Sequence, residues 1–194
     1  MRKYYELAYN LLQPICALLY PRRKRVCAAL PEGAAIVCAN HSNYIDPILL
    51  ALTIGKKHQL HFMAKAELSA VKFFGNLLRS LGVFFVKRGE NDMGAIRTMM
   101  GLLKSGEKVG IFPEGTRVSE PDKVAAKDGA VRIAMRLGVP IIPAFISRKK
   151  RIFRKVDVVI GEPYNIDADA DPKEETKALM AKIEALDPGR EKDA

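Results

Sequence analysis

The run Asn40-His41-Ser42-Asn43-Tyr44-Ile45-Asp46-Pro47 sets a histidine five positions before an aspartate, and that aspartate before a proline. On a straight helix, at roughly 100° per residue, the two side chains would fall about 140° apart and share no face. To act together, His41 must lie in a loop that turns back onto the carboxylate. A carboxylate bound to one imidazole nitrogen fixes the tautomer and leaves the other nitrogen as a base. The alternative is plainer: Asp46 caps a helix opened by Pro47, and His41 is only a loop residue. This segment by itself admits both.

Group transfer also needs a nucleophile. Ser42 adjoins His41, but the chain contains no Gly-x-Ser-x-Gly elbow. Cys16, Cys27 and Cys38 lie in apolar runs, where thiols are inert. Their odd number argues against a disulfide framework, and their spacing lacks the close pairs of zinc sites. The simplest nucleophile is then a substrate hydroxyl deprotonated by His41. Phe112-Pro113-Glu114-Gly115-Thr116-Arg117 supplies a carboxylate, a permissive glycine, a hydroxyl and a guanidinium in succession. Glycine lets backbone approach a ligand closely, and arginine makes bidentate contacts with phosphate. Lys87-Arg88-Gly89 has similar character. Singly, each is also an ordinary polar turn.

Whether these groups converge depends on the elements that carry them. Residues 34–39, 60–63, 83–86, 109–112, 141–146 and 156–160 read as short apolar strands. Between them the pattern predicts helices over 46–54, 67–78, a stretch from Asn91 or Asp92 to Gly106, and 128–137; a last helix, capped by Asp171, runs to 186. Strand–helix alternation with almost wholly apolar strands predicts an α/β fold, a largely parallel central sheet flanked by helices. Chemistry in such sheets sits in loops at the carboxyl ends of strands. Residues 40–46 and 113–117 both occupy that position.

The 194 residues, 48% hydrophobic and 28% charged, suit one packed domain and exclude disorder. A net charge of +10 favours an anionic partner. Nucleic acid is disfavoured, since no zinc-finger, helix-turn-helix or RNP-type pattern is present. A hydrolase using the same pair on water, and a metal-dependent phosphatase built from His41, Asp46, His58 and His61, are the other rivals. No run is apolar enough to span a bilayer. Residues 3–20 are nevertheless rich in Tyr and Leu, and Arg22-Arg23-Lys24-Arg25 follows as a basic turn. That order suits a helix lying on an anionic membrane as well as it suits a packing helix. The expected organisation is a docking segment over 1–25, a catalytic domain over 26–187 and a frayed tail over 188–194.

His-x4-Asp, Val-Lys-Arg, Phe-Pro-Glu-Gly-Thr-Arg and Val-Pro-Ile-Ile-Pro occur here in that order. The chain thereby closely resembles the glycerolipid acyltransferases, the 1-acylglycerol-3-phosphate O-acyltransferase family, from about Pro31 to Tyr164. The resemblance implies His41 as general base and Asp46 as its orienting partner, acting in a direct transfer with no acyl-enzyme, cofactor or metal. It implies Arg88, Glu114, Gly115, Thr116 and Arg117 as the phosphate and glycerophosphate site. Lys65 adds positive charge, and Val139 to Pro143 form an apolar block. Lys127-Asp128-Gly129 is similar to the stretch before that block. The acyl donor is a thioester of acyl-carrier protein or coenzyme A. The acceptor is 1-acylglycerol 3-phosphate, with glycerol 3-phosphate, another lysophospholipid or a lyso-aminolipid as alternatives. A lipid acceptor makes residues 1–25 a docking surface for the cytoplasmic face of the membrane, and the basic run 148–155 a second one or an acyl-carrier contact. Backbone amides near Gly115 are the expected oxyanion donors.

Overall fold

The computed structural model describes residues 2–70, 72–86, 93–118 and 124–189. In chain order they form α1 (Arg2–Leu19), β1 (Arg22–Val26), β2 (Ala35–Ala39), α2 (Asp46–Ile54), β3 (Leu60–Lys65), α3 (Lys72–Ser80), β4 (Phe84–Val86), α4 (Met93–Lys104), β5 (Lys108–Ile111), α5 (Gly129–Leu137), β6 (Ile141–Ile146), β7 (Val156–Ile160) and α6 (Pro172–Ala185). The strands make one sheet in the order β1-β7-β6-β2-β5-β3-β4. Neighbours are parallel except β6 and β7, so β1 and β7 run together against the other five.

β2 lies between β5 and β6, and all five of its residues are buried. Strand side chains alternate between faces. Ile36 and Cys38 therefore enter a core with Met99 and Leu103 of α4, Val131 of α5 and Leu179 and Ile183 of α6. Ala35, Val37 and Ala39 enter a second core with Leu49, Leu50 and Ile54 of α2. Two covered faces are the reason these strands are apolar at every position rather than at every other one. At Gly110 of β5 an added Cβ would stand 2.4 Å from the Phe62 ring, so only glycine lets that ring lie across the strand.

Two sequence expectations change here. Residues 22–25 are not a turn: their backbone pairs with β7, from Arg22 opposite Val156 to Val26 opposite Ile160. Arg23, Lys24 and Arg25 are exposed on this edge strand, where charge discourages pairing with other chains, and Arg23 meets Asp157 at 2.7 Å. The Arg22 guanidinium instead tucks back to donate to Gln13 Oε1 at 2.6 Å. The boundary at residue 25 thus falls inside β1. The helix expected over 67–78 is divided into a 3-10 turn, Ala66–Ser69, and α3. The Ser69 hydroxyl bonds the Ala66 carbonyl at 2.6 Å, a local bond that competes with helix continuation. Asn91 and Asp92, expected to cap α4, lie outside the described residues.

Because β2, β5 and β6 are adjacent and parallel, the loops leaving their carboxyl ends emerge side by side.

Candidate functional site

At the end of β2 the backbone ladder to β6 stops at Ala39, opposite Ala144. Asn40 continues it with its side chain. Its buried amide donates to the Ile146 carbonyl and accepts from the Ile146 amide, both at 2.8 Å. His41 is then the first residue free of the sheet, yet neither of its peptide groups is loose. Its N–H donates to Glu114 Oε2 at 2.6 Å, and its carbonyl accepts from the Val118 amide at 2.7 Å. The loop after β5 thus holds the loop after β2 from both sides.

The His41 ring stacks on Phe112, with centroids 4.2 Å apart and planes 20° from parallel. Its Nδ1 lies 3.0 Å from Asp46 Oδ2. An ionised carboxylate only accepts, so Nδ1 carries a proton, and in the neutral ring the lone pair therefore lies on Nε2. Among the described residues no group hydrogen-bonds Nε2. The side chain is 14% exposed.

Asp46 is not the helix cap. It is the first residue of α2, Ile45 holds the cap position, and no side chain caps the helix. Pro47 needs no partner for its nitrogen. The Asp46 carboxylate turns back instead: Oδ2 also accepts from the Ser42 and Asn43 amides, each at 2.7 Å. Oδ1 lies 2.7 Å from Lys150 Nζ. Burial alone would push this carboxyl up, but the His41 hydrogen bond and the Lys150 charge prevail and hold it below the ordinary carboxylate value. It is an anion ready to stabilise an imidazolium.

The Ser42 hydroxyl is engaged at both ends: it donates to the Arg148 carbonyl at 3.0 Å and accepts from Lys150 at 2.7 Å. Cys38 is buried and its thiol is pushed up to about 12 by desolvation.

The other expected site residues separate into three groups. Glu114 is buried, and its carboxylate faces the His41 amide and, at 3.4 Å, Arg148 Nη1, rather than open solvent. Desolvation pushes its carboxyl up against the opposing pull of those partners. Gly115 takes a left-handed φ of 66° as the chain turns, and its amide is already bonded to the Phe112 carbonyl, so that amide is not a free oxyanion donor. Thr116 and Arg117 are exposed beside it, and the Arg117 guanidinium sits 3.5 Å above the Tyr44 ring on the loop that carries the dyad. The Lys127 stem lies over Gly115: a Cβ there would stand 3.3 Å from its Cε. Lys65 is exposed at the carboxyl end of β3 and meets Glu67 at 2.9 Å. Arg88, just beyond β4, lies outside the described residues. His58 and His61 do not join His41: they sit at the amino end of β3, where His61 Nδ1 meets the Gly82 carbonyl at 2.9 Å. Among the described residues no three His, Cys, Asp or Glu side chains could share a metal ion.

Sequence reasoning missed four participants: Asn40, Phe112, Arg148 and Lys150. The run 148–155 was expected to face a membrane or a partner, yet two of its residues, Arg148 and Lys150, turn inward while Lys149 and residues 151–155 are exposed. Arg148 reaches Glu114 and, through a short ion pair, Glu184 of α6, while Lys150 reaches Asp46. The available signal was position: 148 and 150 follow the carboxyl end of a core strand, as His41 does.

Residues 22–147 match the family model described as "Acyltransferase". The chain belongs to the acyltransferase family. It is 37% identical over 188 residues to the 1-acyl-sn-glycerol-3-phosphate acyltransferase of Bacillus subtilis, covering 94% of this chain and 92% of that one. To the lyso-ornithine lipid O-acyltransferase of Pseudomonas aeruginosa this acyltransferase is 31% identical over 141 residues, 72% of its own length and 52% of that protein's. Its fold is shared by the crystal structure of PlsC, the LPA acyltransferase of Thermotoga maritima, with a TM-score of 0.65 at 23% identity over 95% of this chain and 77% of the other.

Proposed function

We propose that this acyltransferase moves a fatty acyl chain from an acyl-carrier-protein or coenzyme A thioester to the sn-2 hydroxyl of 1-acylglycerol 3-phosphate, giving phosphatidic acid. One observation carries the reading: the His41–Asp46 pair, with Nε2 unengaged, in a chain this similar along nearly its whole length to an enzyme named for that reaction. Nε2 takes the hydroxyl proton as the oxygen attacks the thioester carbonyl, and Asp46 stabilises the imidazolium. The intermediate collapses, the C–S bond breaks, and the imidazolium returns the proton to the departing thiolate. Arg117, stacked on Tyr44, and Lys127, whose stem lies over Gly115, are the cations that would hold the acceptor phosphate; Arg88 is expected to add to them.

The acceptor must be met at a bilayer. Among the described residues no helix is long and apolar enough to cross one. On α1, Tyr4, Leu7, Leu11, Ile15 and Leu18 form an exposed stripe at three- and four-residue spacing. Ile152 and Phe153 are exposed beside its end, the Phe153 amide donating to the Leu19 carbonyl. With the exposed residues 23–25 nearby, this surface suits peripheral binding to anionic lipid at the cytoplasmic face.

A second acceptor class, a lyso-aminolipid, is favoured by the Pseudomonas relative. A panel of acceptors in liposomes, offered one labelled donor as each thioester, tests both. Product only with a phosphate-free acceptor would reject the first reading, and donor cleavage without any acceptor would indicate a hydrolase.

A further inference from the structure

The general base needs only one oxygen of Asp46; the other is held by a lysine from a different loop. Oδ2 collects His41, Ser42 and Asn43, while Oδ1 faces Lys150 Nζ at 2.7 Å with both side chains fully buried. The same ammonium donates to Ser42 Oγ at 2.7 Å, and that hydroxyl is tied on to the Arg148 carbonyl. We propose that Lys150 is a positioning residue of the dyad: by gripping Asp46 Oδ1 and Ser42 Oγ together, it fixes the carboxylate plane that aims the imidazole. This rests on His41 being the general base.

A lysine ammonium is strongly hydrated, and burying one is unfavourable unless it meets an anion. Here it answers a buried carboxylate oxygen. Without Lys150 that oxygen is a desolvated half-charge and takes a proton more readily, and a neutral Asp46 stabilises an imidazolium far less. The charged and titratable groups around Asp46 are His41 on its own loop and Lys150, with Arg148 and Glu114 behind them. Desolvation lowers the Lys150 ammonium against the opposing pull of Asp46, in keeping with a pair that depends on staying dry.

The test uses the full chain with Lys150→Met, Lys150→Gln and Lys150→Arg, assayed on vesicles containing 1-acylglycerol 3-phosphate across a range of pH. In Lys150→Met, kcat should fall at least about tenfold, the scale of a misplaced catalytic group, with acceptor KM unchanged. The acidic limb of its pH profile should move to higher pH, and Lys150→Arg should recover part of the rate. Lys177→Met, which removes an exposed charge on α6, should behave as wild type. In parallel, carbon-13 NMR of the Asp46 carboxyl should give a higher midpoint in the Met and Gln variants. A folded variant with wild-type kcat and acidic limb overturns the proposal, and so does a rise in KM alone. If wild type transfers to no acceptor, the general-base reading falls by itself. The carboxyl titration then decides the clamp, and an unmoved midpoint overturns it.

Discussion

The amide of His41 donates to Glu114 Oε2 across 2.6 Å, so the base hangs from a carboxylate on the neighbouring strand's loop. Glu114 thus has a positioning role available to it that a family motif alone does not reveal. Glu114→Ala should lower kcat by one to two orders of magnitude, about the effect of a small displacement of a catalytic group, with acceptor KM little changed. The variant also leaves Arg148 short of one partner and the His41 amide unpaired, at a cost of about 1–3 kcal/mol. Steady-state kinetics and urea unfolding read the two effects separately. A KM rise without a kcat loss would make Glu114 a substrate contact instead.

His41→Ala should remove about 10²- to 10⁴-fold of rate, the usual contribution of a general base. The partly exposed ring has Phe112 and Asp46 as its main contacts, so the variant should stay folded. Asp46→Asn should retain the loop less well, because an amide cannot accept all of the donors that converge on the carboxylate. A folded His41→Ala variant with wild-type turnover would end the assignment.

Acid should destabilise the protein partly through Asp46. Burial opposes its ionisation, but His41 and Lys150 hold its folded pKa below the ordinary value. The ionised group therefore contributes stability above the unfolded pKa of about 3.9, and the contribution disappears as pH falls through the folded value. Urea midpoints of wild type and Asp46→Asn should differ most near neutrality and converge in acid. A gap that is constant with pH would show that Asp46 is not responsible.

Gly115→Ala forces a side chain into a left-handed backbone and against the Lys127 stem. The backbone effect is about 1–2 kcal/mol. Displacing Lys127 should also raise KM for a phosphorylated acceptor, measurable beside an uncharged acceptor whose KM should not move.

Leu7→Asp with Leu11→Asp should abolish co-sedimentation with anionic vesicles. Each leucine inserted into lipid is worth about 1.5–3 kcal/mol, so losing two is decisive. Their exposure means the thermal midpoint should hardly change. Unaltered sedimentation would move the docking surface elsewhere.

Much was legible from local pattern. β2, β5 and β6 are adjacent, parallel and buried at every position, so their runs announce strands without any need for alternation. Asp171 and Pro172 mark the start of α6 because capping is local: the Asp171 side chain accepts from the Lys173 and Glu174 amides. His41 and Asp46 could be suspected as partners because a five-residue separation needs only one turn of loop.

What pattern could not supply was lateral order. β2 is flanked by β5 and β6, strands that lie far away in the chain, and that order brings Glu114, Arg148 and Lys150 to the dyad. A charged residue after a strand looks the same in sequence whether it faces solvent or a buried carboxylate. The basic runs illustrate this: residues 22–25 became an edge strand, and of 148–155 only Arg148 and Lys150 turned inward. The local sequence, then, determines which residues can do chemistry and which segments are strands. Only tertiary packing decides which charges lose their water, because desolvation depends on neighbours that the chain brings together from a distance.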